Sequence, residues 1–325
     1  MYLLRELVLD ITNRCPMLCL HCSANSTPYL TRFIPFEKAT HIIEEAVALG
    51  LEIISFTGGE PLLHPQLLDM IRVAKYLGVS DVRLFTSGLM YDENKVAKPL
   101  DYETAKRLRD AGLDKAFFNL QGASPKIHEA ISLTPRSFDA VVKGSRLLKK
   151  LDVYVGLHFV PMKLNWRELP HVVSLAKELD VDEVGVLRFV PQGRGLYNRQ
   201  ILELNPDEFK QFLEMLAELI RRDGKPYIRL GCPFNPIAEL IPGWRVKRCP
   251  AADEMCHILI DGTVAPCSAF KYNKQMSGGN IYSQSLTQIW RRGFTEFTGT
   301  RSRLAAEYSC TAQKLISHRF EVITQ

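Results

Sequence analysis

The stretch Leu7-Val8-Leu9-Asp10-Ile11-Thr12-Asn13-Arg14-Cys15-Pro16-Met17-Leu18-Cys19-Leu20-His21-Cys22 sets three cysteines within eight residues, just after a short apolar run. A run of that length bounded by polar residues reads as a buried strand. Three thiols crowded into the loop behind it are prone to oxidation unless something holds them. Their spacing is C-x3-C-x2-C. A structural zinc site takes four ligands, usually from paired C-x2-C knuckles, and only one half-knuckle is present. His21 lies between Cys19 and Cys22, a poor place for a fourth zinc ligand. Three thiolates instead fit three irons of a cubic 4Fe–4S cluster and leave the fourth iron open to a small molecule.

The other five cysteines, Cys232, Cys249, Cys256, Cys267 and Cys310, lie toward the far end, and residues 23–231 contain none. Clustering of this kind in a reducing compartment points to metal more than to disulfides. Arg5, Glu6 and Asp10 interrupt the N-terminal apolar run, which excludes a signal-peptide core. No run approaches the ~18 apolar residues of a membrane span. The expectation is a cytoplasmic protein, where thiols stay reduced, with no membrane or nucleic-acid partner. The net charge of +5 comes without a basic block. At 325 residues, 46% of them hydrophobic, the chain can bury one large core, or a core plus an appendage.

Apolar runs rich in β-branched and aromatic residues recur at Leu7–Thr12, Glu52–Thr57, Val82–Thr86, Lys115–Leu120, Val153–Val160 and Glu183–Val190. Helical spacing covers Glu37–Leu49, Pro65–Leu77, Tyr102–Ala111, Ser137–Lys149, Trp166–Leu179 and Pro206–Arg222. Strands alternating with helices predict a parallel sheet with right-handed crossovers. Six units are too few for a closed eight-stranded barrel. The predicted fold is α/β: a partial (β/α)6 TIM-type barrel over residues 1–225, then a small C-terminal iron–sulfur subdomain over 226–325. Chemistry in such sheets collects at the carboxyl ends of the strands, which puts the cysteine loop at the working mouth.

C-x3-C-x2-C after the first strand of such a barrel resembles the signature of the radical S-adenosylmethionine (SAM) enzymes. The resemblance implies that Cys15, Cys19 and Cys22 hold a catalytic 4Fe–4S cluster whose open iron chelates SAM. It also implies reductive cleavage of SAM to a 5′-deoxyadenosyl radical that takes a hydrogen atom from substrate. The family usually has an aromatic residue where this chain has His21, which would pack near adenine. Gly58-Gly59-Glu60-Pro61 after the second strand resembles the family's GGEP motif, with Glu60 holding the SAM ammonium and the two glycines allowing close approach. By the same resemblance Ser87, Asn119, Gln121 and Arg188, at the ends of strands three, four and six, contact SAM. Asn119 and Gln121 replace the family's usual Ser and Asp. The loop Pro191-Gln192-Gly193-Arg194-Gly195 flanks the cofactor.

Asp261-Gly262 between two apolar pieces reads as a tight hairpin. The pattern Cys249-x12-Gly262-x4-Cys267, with Gly279-Asn280-Ile281-Tyr282 and Ile289-Trp290 after it, resembles the SPASM/twitch extension that carries auxiliary 4Fe–4S clusters. Five cysteines can complete one four-thiolate cluster, not two. The assignment is Cys249, Cys256, Cys267 and Cys310, with Cys232 left over as a hydrogen-atom donor. One of Cys232 and Cys256 stands equally well as a buried thiol. SPASM/twitch enzymes often modify ribosomally made peptides by epimerisation or crosslinking, so a peptide substrate is expected. A reductant such as flavodoxin or ferredoxin is expected as well. The chain starts at strand one, so leader recognition would fall to a separate leader-binding protein. The alternatives are a small-molecule substrate in cofactor biosynthesis, and a non-catalytic zinc or redox-sensing protein.

Overall fold

The computed structural model describes residues 3–222, 224–231, 237–245, 248–304, 310–312 and 314–315. Its frame is one ten-stranded sheet. Strands β1 (Glu6–Thr12), β2 (Ile53–Gly58) and β3 (Asp81–Thr86) lie side by side in parallel. A separate hairpin follows, β4 (Leu89–Tyr91) with β5 (Ala97–Pro99). The parallel series then continues through β6 (Lys115–Asn119), β7 (Tyr154–Phe159) and β8 (Glu183–Val186). These are the six predicted strands. β8 stops at Val186, short of the predicted Val190, because the chain leaves the sheet there to reach the cysteine loop.

Helices α1 (Phe36–Ala48), α2 (Leu67–Tyr76), α3 (Tyr102–Ala111), α4 (Pro125–Ser132), α5 (Ser137–Lys150) and α6 (Leu169–Glu178) form the crossovers. Short turns α7 (Arg194–Tyr197) and α8 (Arg199–Leu202) precede the long α9 (Pro206–Arg221), which is opened by an Asn205 capping box. Beyond it come α10 (Ile237–Leu240), α11 (Leu286–Arg292) and α12 (Thr295–Arg303). Among the described residues no helix is long and apolar enough to cross a membrane.

Two additions lengthen the sheet. β9 (Tyr227–Leu230) pairs in parallel with β8, and β10 (Met255–Ile258) pairs in parallel with β1. β11 (Thr263–Ala265) and β12 (Gly279–Asn280) extend that edge antiparallel. The sheet therefore runs across the boundary expected at 225/226. Without β10, β1 would present a bare row of backbone donors and acceptors at the barrel edge. A second tie comes from α1, where the Glu45 carboxylate accepts the amides of Leu286 and Thr287 at the start of α11 (3.0 and 3.2 Å).

The strand period of two separates core from interior. On β7, Val155, Leu157 and Phe159 are fully buried against the helices. Tyr154 and His158 face inward onto a charged floor that has no sequence signature. Asp81 takes Arg83 at 2.6 Å and Lys115 at 2.8 Å, while Glu183 takes Arg229 at 2.7 Å and the Tyr154 hydroxyl at 2.9 Å. Arg229 also donates to His158 Nε2 at 2.9 Å. Burial, then the charges of Arg229 and Arg83, hold His158 well below the ordinary histidine range, so it is a neutral acceptor. The His158 ring stacks on Phe117 at 4.8 Å. These ion pairs close the amino-terminal end of the barrel and leave its carboxyl end for chemistry.

Candidate active site and its two cysteine clusters

The cysteine loop is pinned from several sides. The Cys15 amide donates to Thr27 O, the Leu20 amide to Ile131 O, and the Cys22 amide to Cys19 O. Cys15 and Cys19 pack against Met17, Leu89 and Ala140, so the β4–β5 hairpin and α5 give the loop an apolar cap. Burial, and then the neighbouring Cys19 charge, pushes the Cys15 thiol well up; burial and Cys22 push Cys19 up to about 12. Thiolates so close in a low-dielectric pocket require a compensating cation, and a metal centre deprotonates its coordinating thiols outright.

Gly58 and Gly59 are required by the backbone packed against them. A Cβ on Gly58 would lie 2.3 Å from Thr12 O, and one on Gly59 would lie 2.1 Å from Arg14 O. The Gly59 amide donates to Thr12 O at 2.7 Å and the Glu60 amide to Arg14 O at 2.8 Å. The two glycines thus let the end of β2 clamp the start of the cysteine loop. Glu60 is 1% exposed. Its Oε1 accepts from the Thr86 hydroxyl at 2.6 Å and the Leu62 amide at 3.1 Å. Its Oε2 accepts from the Ser87 amide at 2.7 Å and the Ser87 hydroxyl at 2.5 Å. Burial raises its carboxyl above the ordinary value despite these donors. Glu60 and Ser87 are therefore brought together, each holding the other.

Gln121 is fully buried and committed to packing. Its Oε1 accepts from the Val160 amide and its Nε2 donates to Asn119 Oδ1. The Gln121 amide donates to His128 Nδ1 at 3.1 Å. Gln121 thus orients Asn119. Burial and the Arg194 charge hold His21 down to about 4; burial and then His21 hold His128 at about 4. His21 Nδ1 and Arg14 Nε are buried without partners beside the loop.

The sixth strand's loop carries a residue whose contacts the sequence could not show. Arg188 has no hydrogen-bond partner among the described residues. Arg194 instead donates from Nε to Cys19 O at 2.9 Å and from its amide to Cys22 O at 3.0 Å. Asn198 Nδ2 donates to Leu20 O at 3.0 Å. Gly193, at φ +53°, leaves no room for a Cβ, which would fall 2.7 Å from Cys22 O. The visible signal was an arginine between two glycines.

In the C-terminal part, Cys249, Cys267 and Cys310 are neighbours. Burial raises the Cys249 and Cys267 thiols, and each also feels the charge of Cys310. Cys256, grouped with them as a ligand from the sequence, is not among the charges that Cys249 and Cys267 feel. It sits inside β10 opposite Leu7, fully buried in the hydrophobic core, and burial alone raises its thiol. Cys232 lies outside the described residues. The Cys249 loop is braced by Arg301, which donates from Nη1 to Ala251 O and from Nη2 to both Asp253 carboxylate oxygens, all at 2.9 Å. The hairpin is as predicted, β10 against β11 with Gly262 at φ +85° in the turn.

A cavity of about 370 Å³ lies between the two regions, lined by Asn25, Gln192, Leu196, Phe270, Tyr272 and others. The donor set fits a cubic cluster at Cys15, Cys19 and Cys22, where three soft thiolates leave one iron free. The partnerless polar atoms of His21 and Arg14 beside it fit a polar ligand.

The radical SAM superfamily matches residues 9–176, just over half of the chain, and SPASM, an iron–sulfur cluster-binding domain, matches residues 249–312. The chain is 27% identical over 301 residues to the PqqA peptide cyclase of Gluconobacter oxydans, covering 91% of this chain and 79% of that one. It is 25% identical over 303 residues to the AdoMet-dependent heme synthase of Methanosarcina barkeri, covering 88% and 82%. Streptococcus suis SuiB bound to precursor peptide SuiA shares the fold, with a TM-score of 0.70 at 17% identity over 89% of this chain. This chain spans 64% of the SuiB chain. AnSMEcpe with bound AdoMet and the Cp18Cys peptide gives a TM-score of 0.64 at 18% identity, covering 88% and 80%. With its cysteine loop at the mouth of a partial barrel and a second cysteine group docked beside it, the chain belongs to the radical SAM superfamily and carries a SPASM iron–sulfur domain.

Proposed function

We propose that this enzyme modifies a ribosomally made peptide, by epimerisation or by a crosslink, using SAM. The observation that carries the reading is the convergence of Cys249, Cys267 and Cys310 beside the loop of Cys15, Cys19 and Cys22, with an apolar-walled cavity between. Similarity to a peptide cyclase supports it.

In this reading Cys15, Cys19 and Cys22 hold the catalytic 4Fe–4S cluster, and Cys249, Cys267 and Cys310 hold an auxiliary one. A reduced cluster with SAM bound supplies a 5′-deoxyadenosyl radical. The chain's own residues position and exclude. Glu60, fixed by Thr86 and Ser87, presents a buried carboxylate to the SAM ammonium. His21, neutral, packs at the base. Met17, Leu89 and Ala140 keep water from the sulfurs. The substrate segment enters the cavity beside Phe270 and Tyr272. Cys232 has two competing roles, fourth thiolate of the auxiliary cluster or hydrogen-atom donor. A thiol S–H bond is weaker than a typical C–H bond, so a thiol facing the substrate would return hydrogen to a carbon radical. A small electron carrier such as flavodoxin or ferredoxin supplies the electron in a reducing compartment.

The test is anaerobic incubation of the protein with SAM, reductant and short peptides encoded beside its gene, read by mass spectrometry. A mass change or altered residue chirality in one peptide supports the reading; 5′-deoxyadenosine without any peptide change removes it. A second reading, a small molecule in cofactor biosynthesis, is favoured by the similarity to the heme synthase. It gains if a porphyrin-type substrate, and no peptide, is consumed.

A further inference from the structure

Three consecutive residues, Gln192, Gly193 and Arg194, touch both cysteine regions. Arg194 holds the carbonyls of Cys19 and Cys22, and Gly193 packs on Cys22 O. Gln192 reaches the other way. Its Nε2 donates to Ser268 O at 3.2 Å, and its Oε1 accepts the Lys271 amide at 3.0 Å. Ser268 follows Cys267 directly, and the turn Ser268–Phe270 with Lys271 is the segment that leads away from that thiol. Gln192 is 8% exposed and uses both ends of its amide. A buried primary amide with donor and acceptor both filled by one backbone turn fixes that turn in register.

We infer that Gln192 is a positioning residue that locks the Cys267 turn onto the loop of Cys19 and Cys22, and so sets the span between the two clusters. The inference rests on the proposed reading that both sites hold clusters. Span matters because an electron passing between them oxidises one cluster by one unit and reduces the other by one, with no atom or proton moved. Other ties between the two parts include the Asp10–His257 pair across β1 and β10 (2.8 Å) and the Glu45 contacts to α11, and both of these lie farther along the chain from Cys267 than Ser268 does.

The test uses the anaerobically reconstituted holoenzyme and two readouts, neither of them turnover. The first is hydrogen exchange over the peptide that contains Lys271. Gln192→Ala should speed exchange there by about fivefold, the loss of one ordinary hydrogen bond, while Gln192→Glu, which keeps the acceptor, should restore protection. The second is the magnetic interaction between the two reduced clusters in electron paramagnetic resonance, which should weaken in Gln192→Ala. If Gln192→Ala sheds auxiliary iron, the same readings on Gln192→Glu decide. There the lost donor should still change the magnetic interaction while the Lys271 amide stays protected. Unchanged exchange and unchanged magnetic interaction overturn the role of Gln192. Wild-type protein that binds only about four irons overturns the two-cluster reading instead, so the two failures are distinct.

Discussion

His257 Nε2 donates to Asp10 Oδ1 at 2.8 Å across the parallel pair β10–β1, with both side chains buried. Burial works to raise the Asp10 carboxyl, but Lys271 and His257 hold it below the ordinary value; burial holds His257 down. The pair is a carboxylate accepting from a neutral imidazole, and the Ile260 amide donates to the same carboxylate. One side chain of the first barrel strand thus holds the hairpin that leads to Cys267. Asp10→Ala strips a buried donor of its charged partner and should cost about 2–4 kcal/mol. Thermal unfolding followed by circular dichroism reads this as a midpoint lower by several degrees, with the C-terminal hairpin exchanging hydrogen faster. An unchanged midpoint would mean the pair contributes nothing to docking.

Glu60→Gln replaces an acceptor of four donors with a group that accepts on one side only. A charge-assisted hydrogen bond is worth ~1.5–3 kcal/mol. SAM affinity, measured by anaerobic equilibrium dialysis, should fall about tenfold to a hundredfold. Equal affinity in the variant would remove Glu60 from the SAM site and leave it only the role of tying β2 to β3.

The separation of Cys256 from the other C-terminal thiols gives a sharp expectation for iron content. Cys249→Ala, Cys267→Ala and Cys310→Ala should each lose about four irons per chain, and Cys256→Ala should lose none. Iron analysis of the four variants settles the set. If Cys256→Ala also loses about four irons, its place in the core is not its function. Cys232→Ala extends the series: iron loss makes Cys232 the fourth ligand, and full iron with altered products makes it the hydrogen donor.

His128 is held at about 4 in the fold against an ordinary 6.5. A histidine kept neutral by burial contributes stability above its unfolded value, and that contribution is lost as pH falls. The window runs from about 6.5 down to about 4, and the loss over it is on the order of 3 kcal/mol. Guanidinium midpoints measured from pH 7 to 4 should therefore fall more steeply for the wild type than for His128→Gln. Parallel slopes would show that the fold does not depress His128.

Much of this site was legible because its chemistry is local in sequence. Cys15, Cys19 and Cys22 lie within one loop, and the strand before them announces itself by composition. Glu60 and Ser87 end strands that periodicity locates to within a residue. What was not legible depends on which strands meet. Nothing local to Met255-Cys256-His257-Ile258 says that Cys256 faces the helices while His257 faces Asp10; that follows only from β10 pairing with β1. Sequence cannot show that Gly58 and Gly59 also meet Thr12 O and Arg14 O, which leave no room for a Cβ at either position. Arg194 was legible only as part of a loop flanking the cofactor, because its contacts to the Cys19 and Cys22 carbonyls arise from that loop folding back. The ion pairs of Asp81, Arg83, Glu183 and Arg229 are spread over three strands and have no sequence signature.

The most direct test of radical chemistry at the barrel mouth is the yield of 5′-deoxyadenosine. The wild type and a Cys15→Ala, Cys19→Ala, Cys22→Ala triple variant are each reduced anaerobically with SAM and assayed by liquid chromatography and mass spectrometry. The wild type should release 5′-deoxyadenosine and methionine, and the triple variant should release neither while keeping about four auxiliary irons. 5′-Deoxyadenosine formed by the triple variant at the wild-type rate would contradict the assignment of these three cysteines as the catalytic cluster's ligands.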